Sequence, residues 1–263
     1  ATVVRLVFGI LFLFAVVLWS RTSLRPEHWK WLIVIGLLQT AGLTLFNNLG
    51  LFRGEPGSIS MLTFTMPFWV LVIAWPALGE RIRGWQWLAV IMALAGLLLI
   101  MQPWNLHASL LGKVYAVLGG ICWAIAVICA KYLQSRERID VVNFTFWQTA
   151  IATMPIMLAA IIFDTTAIEW NPTFVACILV VGVGATGLGW VMWLYVLQRL
   201  PAGTTSIAAL GVPVVAGISS WLQLGERPSP FEFVGMLLIA AALTLMAWLN
   251  IRQHQPSESI ALD

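Results

Sequence analysis

Residues 57–81 read GSISMLTFTMPFWVLVIAWPALGER, and residues 203–227 read GTTSIAALGVPVVAGISSWLQLGER. The two stretches align without a gap at an offset of 146 residues, and eight of 25 positions are identical. These are Gly57/Gly203, Ser60/Ser206, Pro67/Pro213, Trp75/Trp221 and the run Leu78-Gly79-Glu80-Arg81 against Leu224-Gly225-Glu226-Arg227. Just upstream, Leu51/Leu197 and Arg53/Arg199 keep the same offset. A tetrapeptide match alone carries little weight, but a shared Pro, Trp and terminal tetrapeptide in one register is an internal repeat.

The setting of that repeat follows from composition. Of the 263 residues, 60% are hydrophobic and only 10% are charged, whereas an average soluble domain is roughly a quarter charged. With so few charges to cover its surface, the chain is neither an ordinary soluble enzyme nor a disordered segment. Fifteen Trp against three Tyr suits a bilayer, where the indole ring sits at the interface. The net charge of +3 is read as topology and not as a phosphate-binding patch, so no nucleic-acid partner is expected. Cys122, Cys129 and Cys177 lie in apolar runs with no CxxC spacing, and read as small buried hydrophobes. No cofactor or metal site is expected.

A spanning helix needs about 20 mostly apolar residues. Nine such runs occur, at 2–19, 31–51, 58–78, 86–102, 111–132, 142–163, 173–198, 203–224 and 231–249, with Gly, Pro and charged residues between them. Counting basic residues by side gives ten on one face: Arg21, Arg25, Lys30, Arg81, Arg83, Lys131, Arg136, Arg138, Arg199 and Arg252. Three lie on the other, Arg53, Lys113 and Arg227. The positive-inside bias puts the C-terminus in the cytoplasm of a cell with these helices in its inner membrane. The two repeat copies lie five steps apart in the helix series, an odd number, so they cross the bilayer in opposite directions. An inverted repeat is the signature of secondary transporters, whose site lies near the midplane between the copies. The expected units are residues 1–105 for the first repeat, 106–250 for the second and 251–263 for a cytoplasmic tail. The first unit then has four helices and the second five. With a first residue that is Ala1 and not Met, that count leads us to expect a further helix upstream.

These features resemble the drug/metabolite transporter superfamily, in particular its ten-helix EamA-type members. The resemblance rests on Arg5 early in its helix, Gly57 through Pro67 to Leu78-Gly79-Glu80-Arg81, Trp87-Leu88-Ala89 followed by Gly96-Leu97, and the second ending Gly225-Glu226-Arg227. It covers nearly the whole chain. One departure is that the sixth run carries Trp147-Gln148 where the first repeat has Arg5. The resemblance implies two five-helix bundles around a central cavity, alternating access, and export of amino acids, other small metabolites or toxic organics. It says nothing of which cargo is carried.

Intramembrane ionisable residues would normally flag the site, but no Asp or Glu lies deep in any run, and His28, His107 and His254 fall in loops or the tail. That disfavours a membrane-embedded enzyme, which needs a nucleophile and base or metal ligands in the bilayer. A receptor or purely structural role leaves the inverted repeat unexplained. Arg5 could hold a carboxylate, although snorkelling to the nearby interface is the simpler reading. The Glu80-Arg81 and Glu226-Arg227 pairs read as end caps with a local charge pair, rather than as gates. Pro67 and Pro213, taken as mid-helix kinks that free a carbonyl, either face a cavity or serve as structural bends. Gln39, Asn47 and Asn48 line a cavity or glue helices, while Trp69, Trp123 and Trp190 could wall it. With Gln148 these make up the candidate substrate site: Gln39, Asn47, Asn48, Pro67, Trp69, Trp123, Gln148, Trp190 and Pro213. The polar-neutral and aromatic lining predicts an uncharged or zwitterionic small organic cargo. The expected partners are that small molecule and the lipid bilayer, and the sequence is compatible with a homodimer.

Overall fold

The computed structural model describes residues 2–53, 56–102, 110–163, 170–224 and 228–254. The second Gly225-Glu226-Arg227, Asp164, Glu169, His107 and the end of the tail lie outside these. The described residues are helical apart from short connections, as a bilayer requires: a helix satisfies its own backbone polar groups where no water can. In chain order the helices are α1 (Thr2–Trp19), α2 (Trp29–Ile35), α3 (Leu43–Leu51), α4 (Pro56–Thr63), α5 (Met66–Leu78), α6 (Gln86–Met101) and α7 (Leu110–Arg136). They continue with α8 (Val141–Phe163), α9 (Pro172–Val180), α10 (Trp190–Arg199), α11 (Ala202–Ala208), α12 (Gly211–Leu224) and α13 (Pro230–His254). Wide-turned π-helical stretches join α2 to α3 (Gly36–Gly42) and α9 to α10 (Val181–Gly189). With those joins, seven stretches are long and apolar enough to cross a membrane, and α5 and α6 are shorter apolar helices. Each of the nine hydrophobic runs coincides with one rod, continuous or broken.

The ends are set by local chemistry. Asn171 accepts a hydrogen bond from the Phe174 N–H at 2.7 Å, with Pro172 next to it, and so starts α9. Asp140 Oδ1 accepts from the Val142 and Asn143 N–H groups at 2.9 Å and starts α8. Ser229 and Glu232 exchange side-chain and backbone bonds as a capping box ahead of α13. Gly79 ends α5 at φ 69°, a left-handed conformation that favours glycine.

The two repeated prolines, Pro67 and Pro213, do something other than kink a helix. The third and eighth rods are each broken in two, at Phe64–Thr65 and at Ala209–Leu210, positions related by the 146-residue offset to within a residue. Tight three-residue turns bridge the breaks: the Thr65 N–H donates to the Leu62 carbonyl, and the Leu210 N–H to the Ile207 carbonyl. Pro67 then stands in the first turn of α5, where its missing N–H costs nothing; Pro213 occupies the corresponding place early in α12. The expected freed carbonyl in mid-helix is therefore replaced by a helix start, because a proline is best accommodated where the backbone donor is unneeded.

The repeat is visible in packing as well. Helices α6 and α13 pack along their lengths at a reciprocal contact. A Cβ built on Gly96 would stand 2.7 Å from the Gly235 carbonyl oxygen, and one built on Gly235 would stand 2.6 Å from that of Gly96. Gly96 faces Ile239 and Gly235 faces Ile100, which is an antiparallel pairing of inverted mates. Glycine permits this backbone-to-backbone approach, and in lipid such close packing is what holds helices together.

Candidate functional site

A cavity of ≈ 230 Å³ lies among α1, both π-helical stretches, α3 and α10. Helix α1 supplies Arg5 and Leu6; the first π stretch supplies Gln39 and Thr40; α3 supplies Leu43, Thr44 and Asn47. Ala185 and Thr186 come from the second π stretch, and Trp190 opens α10. The two stretches occupy matching places in the repeats: Gly36/Gly182, Thr40/Thr186 and Thr44/Trp190 are all 146 residues apart. Wide turns of this kind recur at functional sites, where they turn side chains out of the regular helical register.

Close backbone approach holds the stretches in place. A Cβ on Gly36 would meet the Gln148 carbonyl oxygen of α8 at 2.8 Å, and one on Gly182 would meet the Arg5 carbonyl oxygen at 2.9 Å. Thus α8 presses on the first π stretch and α1 on the second, a mirrored arrangement that fixes the cavity from both sides. Gln39 is 0% exposed, and neither its amide nitrogen nor its amide oxygen has a hydrogen-bond partner. Thr40 Oγ1 and Arg5 Nε are likewise buried without partners. A buried polar group left unpaired costs about 1–3 kcal/mol, so this group of atoms is unfavourable for folding alone. Asn47 is already engaged: its Oδ1 accepts from Thr63 Oγ1 at 2.6 Å, tying α3 to the end of α4 just before the break.

Of the nine residues expected at a substrate site, Gln39, Asn47 and Trp190 line this cavity. Trp123 stands behind Trp190, its ring 6.0 Å away and edge-on, and 5.7 Å from Trp193. Trp69 donates through Nε1 to Thr65 Oγ1 at 3.3 Å and, like Trp123, packs against the core around α5 and α7. Gln148 is buried in α8, its Oε1 without a partner, behind the first π stretch. Pro67 and Pro213 are buried at their helix starts and Asn48 is half-buried; none of the three is in the lining. Arg5, Thr40, Thr44 and Thr186 were not in the expected set. Extending the 146-residue offset upstream of Leu51 pairs Thr40 with Thr186 and would have found two of them.

Hydrogen bonds tie elements of the two repeats together at one end of the bundle. The Glu80 carboxylate, just past α5, accepts from the Ala202 N–H at 2.9 Å and the Gly203 N–H at 3.2 Å. It therefore caps the first turn of α11 across the two repeats, in place of the expected local pair with Arg81. Lys131 of α7 donates to the Leu197 and Leu200 carbonyls at 2.7 and 2.8 Å, and Gln134 to the Leu194 carbonyl at 3.1 Å. Together they clamp the turn between α10 and α11. A larger cleft of ≈ 460 Å³ lies beside these contacts, lined by Glu80, Arg81, Arg83, Gln86 and Thr204 among others. Its carboxylate is already satisfied, whereas the smaller cavity holds the unsatisfied groups; the smaller is the better candidate for cargo.

The family model of the EamA-like transporter family matches residues 1–102 and again 110–248. The chain belongs to the EamA-like transporter family. Among curated proteins, this EamA-like chain is 29% identical over 237 residues to the uncharacterized transporter YoaV of Bacillus subtilis (strain 168), covering 89% of this chain and 80% of that one. It is 26% identical over 220 residues to a protein of Escherichia coli (strain K12) named a probable amino-acid metabolite efflux pump, covering 80% and 73%. A solved crystal structure shares the fold at a TM-score of 0.81 with 17% identity, over 94% of this chain and 88% of the other. The protein is a membrane transporter, and family and relatives alike point away from an enzyme.

Proposed function

We propose that this EamA-like transporter moves a small zwitterionic metabolite, such as an amino acid, out of the cell by alternating access around the ≈ 230 Å³ cavity. The supporting observation is the pairing of two π-helical stretches from opposite repeats around the buried Gln39 amide, Thr40 hydroxyl and Arg5 Nε, which lack partners. Cargo bound there satisfies those groups, so the protein holds it without a covalent step. The cavity is smaller than the roughly 300–1,000 Å³ of drug-sized sites, which favours a small metabolite over a bulky organic. The naming of the Escherichia coli relative as an amino-acid metabolite efflux pump agrees with this choice.

The two halves, residues 1–105 and 106–250, rock against each other about the cavity. In this reading the contacts of Glu80 and Lys131 form the cytoplasmic closure. The C-terminus lies in the cytoplasm and the helices span the inner membrane, in keeping with the bias of basic residues. None of the described lining residues is Asp or Glu, which favours exchange or facilitated flux over a proton relay through this cavity.

Purified protein in proteoliposomes, loaded with labelled L-amino acids and assayed for counterflow with and without a pH gradient, tests the reading. Saturable counterflow of at least one amino acid, insensitive to the gradient, is the expected result. Absence of counterflow across the amino-acid panel contradicts it.

A further inference from the structure

Among the described residues Arg5 is the one charged residue in the cavity wall, and its surroundings bear on what it does. A snorkelling arginine carries its guanidinium out to the interface. Here the side chain instead joins Leu6, Gln39 and Asn47 around the cavity, and its Nε is buried without a partner. Among the described residues no carboxylate shares the lining to neutralise it. Arg5 as a whole is half-buried, its Nε covered and its terminal nitrogens accessible, and a cation in such a partly covered site is stabilised when an opposite charge meets it. Among the described residues the structure thus presents a cation without a counter-ion, beside an amide, Gln39, whose donor and acceptor are both unused.

We infer that Arg5 is the anchor for a carboxylate on the cargo, and that the transported class is small carboxylates with a neutral or positively charged second end. This rests on the transport reading above and narrows it. A guanidinium presents a planar fork of donors that matches a carboxylate in two parallel bonds, which no neutral side chain in the cavity can do. Gln39 Nε2 supplies a further donor to the same group, while Gln39 Oε1 and the Trp190 ring offer an acceptor and an aromatic wall to an ammonium. The second repeat supplies no basic residue to the lining, only Ala185, Thr186 and Trp190. The cavity is therefore built for one anionic group and not two, which excludes dicarboxylates and phosphate esters from the preferred class.

The test compares labelled L-amino acids with the matching amino-acid amides, which keep the ammonium and side chain but lose the carboxylate. Thermal stabilisation in detergent reads binding, and counterflow in proteoliposomes reads movement. The parent protein is expected to favour acids over amides by tenfold or more. Arg5→Gln should remove that preference, costing about tenfold to a hundredfold in acid affinity while leaving amide affinity nearly unchanged. Arg5→Lys, which keeps the charge without the fork, should retain part of the preference. A merely structural arginine would weaken acids and amides alike, and that result overturns the proposal. So does a parent that binds amides as well as acids, or that is stabilised by no acid in the panel. Acid-selective binding without movement across the bilayer would leave the anchor standing and remove the transport reading. Movement indifferent to the carboxylate would do the reverse.

Discussion

Gln39 carries a conflict between folding and binding. Both of its amide atoms are buried without partners, so on the proposed reading the residue destabilises the protein in return for contacts that cargo completes. Gln39→Leu should therefore raise thermal stability, by about 1–2 kcal/mol, while transport falls sharply. A melting curve and a counterflow assay on the same preparation check both halves, and a variant that is less stable than the parent would contradict this account of the residue. Asn47 differs because its Oδ1 already holds Thr63. Asn47→Ala should cost roughly 1 kcal/mol of cargo affinity and a similar amount of stability, both typical of one lost hydrogen bond. These side chains were partly legible from sequence: amides in an apolar helix announce themselves. Arg5 was harder to place. Its position near the start of the chain made an interfacial reading reasonable, and only the packing of α1 against the second π stretch turns it to the cavity.

The helices were read correctly as segments, because 20-residue apolar runs and their turn residues are local signals. What escaped the sequence was how those segments are interrupted. A continuous apolar run gives no sign that α4 and α5 are separate helices, so Pro67 looked like a kink when it is the start of one. The π-helical stretches are hidden for the same reason, since their glycines are explained equally well by close packing. That packing has consequences. A Cβ on Gly182 would lie 2.9 Å from a backbone oxygen of α1, a neighbour that cannot rotate away. Gly182→Ala should lower stability by about 1–3 kcal/mol and displace α1 with Arg5, measurable as a lower melting temperature together with weaker cargo binding. Glu80 was misjudged because its partners are 122 and 123 residues away and belong to the other repeat; no periodicity reports such a contact. Glu80→Ala leaves the first N–H groups of α11 uncapped. It should loosen the closure, increasing thiol labelling of Thr204→Cys from the Glu80 side. Unchanged labelling would mean the bond is incidental.

Across the whole chain, an inverted repeat makes the two faces of the bundle near-equivalents, and a single cavity between the halves can then serve either side in turn. The offset of 146 residues led to the expectation of an inversion, because helix count fixes direction. It could not show which end is tied together, since that depends on the contacts of Glu80, Lys131 and Gln134. Accessibility of one cavity residue decides whether the halves alternate. Thr186→Cys in a background lacking Cys122, Cys129 and Cys177, reconstituted in one orientation, would be treated with a membrane-impermeant thiol reagent from each face separately. Alternating access predicts that the thiol reacts from both faces, with Glu80→Ala raising the rate from the Glu80 side and lowering it from the other. Reaction from one face alone, unchanged by Glu80→Ala, would contradict it and leave the cavity a fixed pocket.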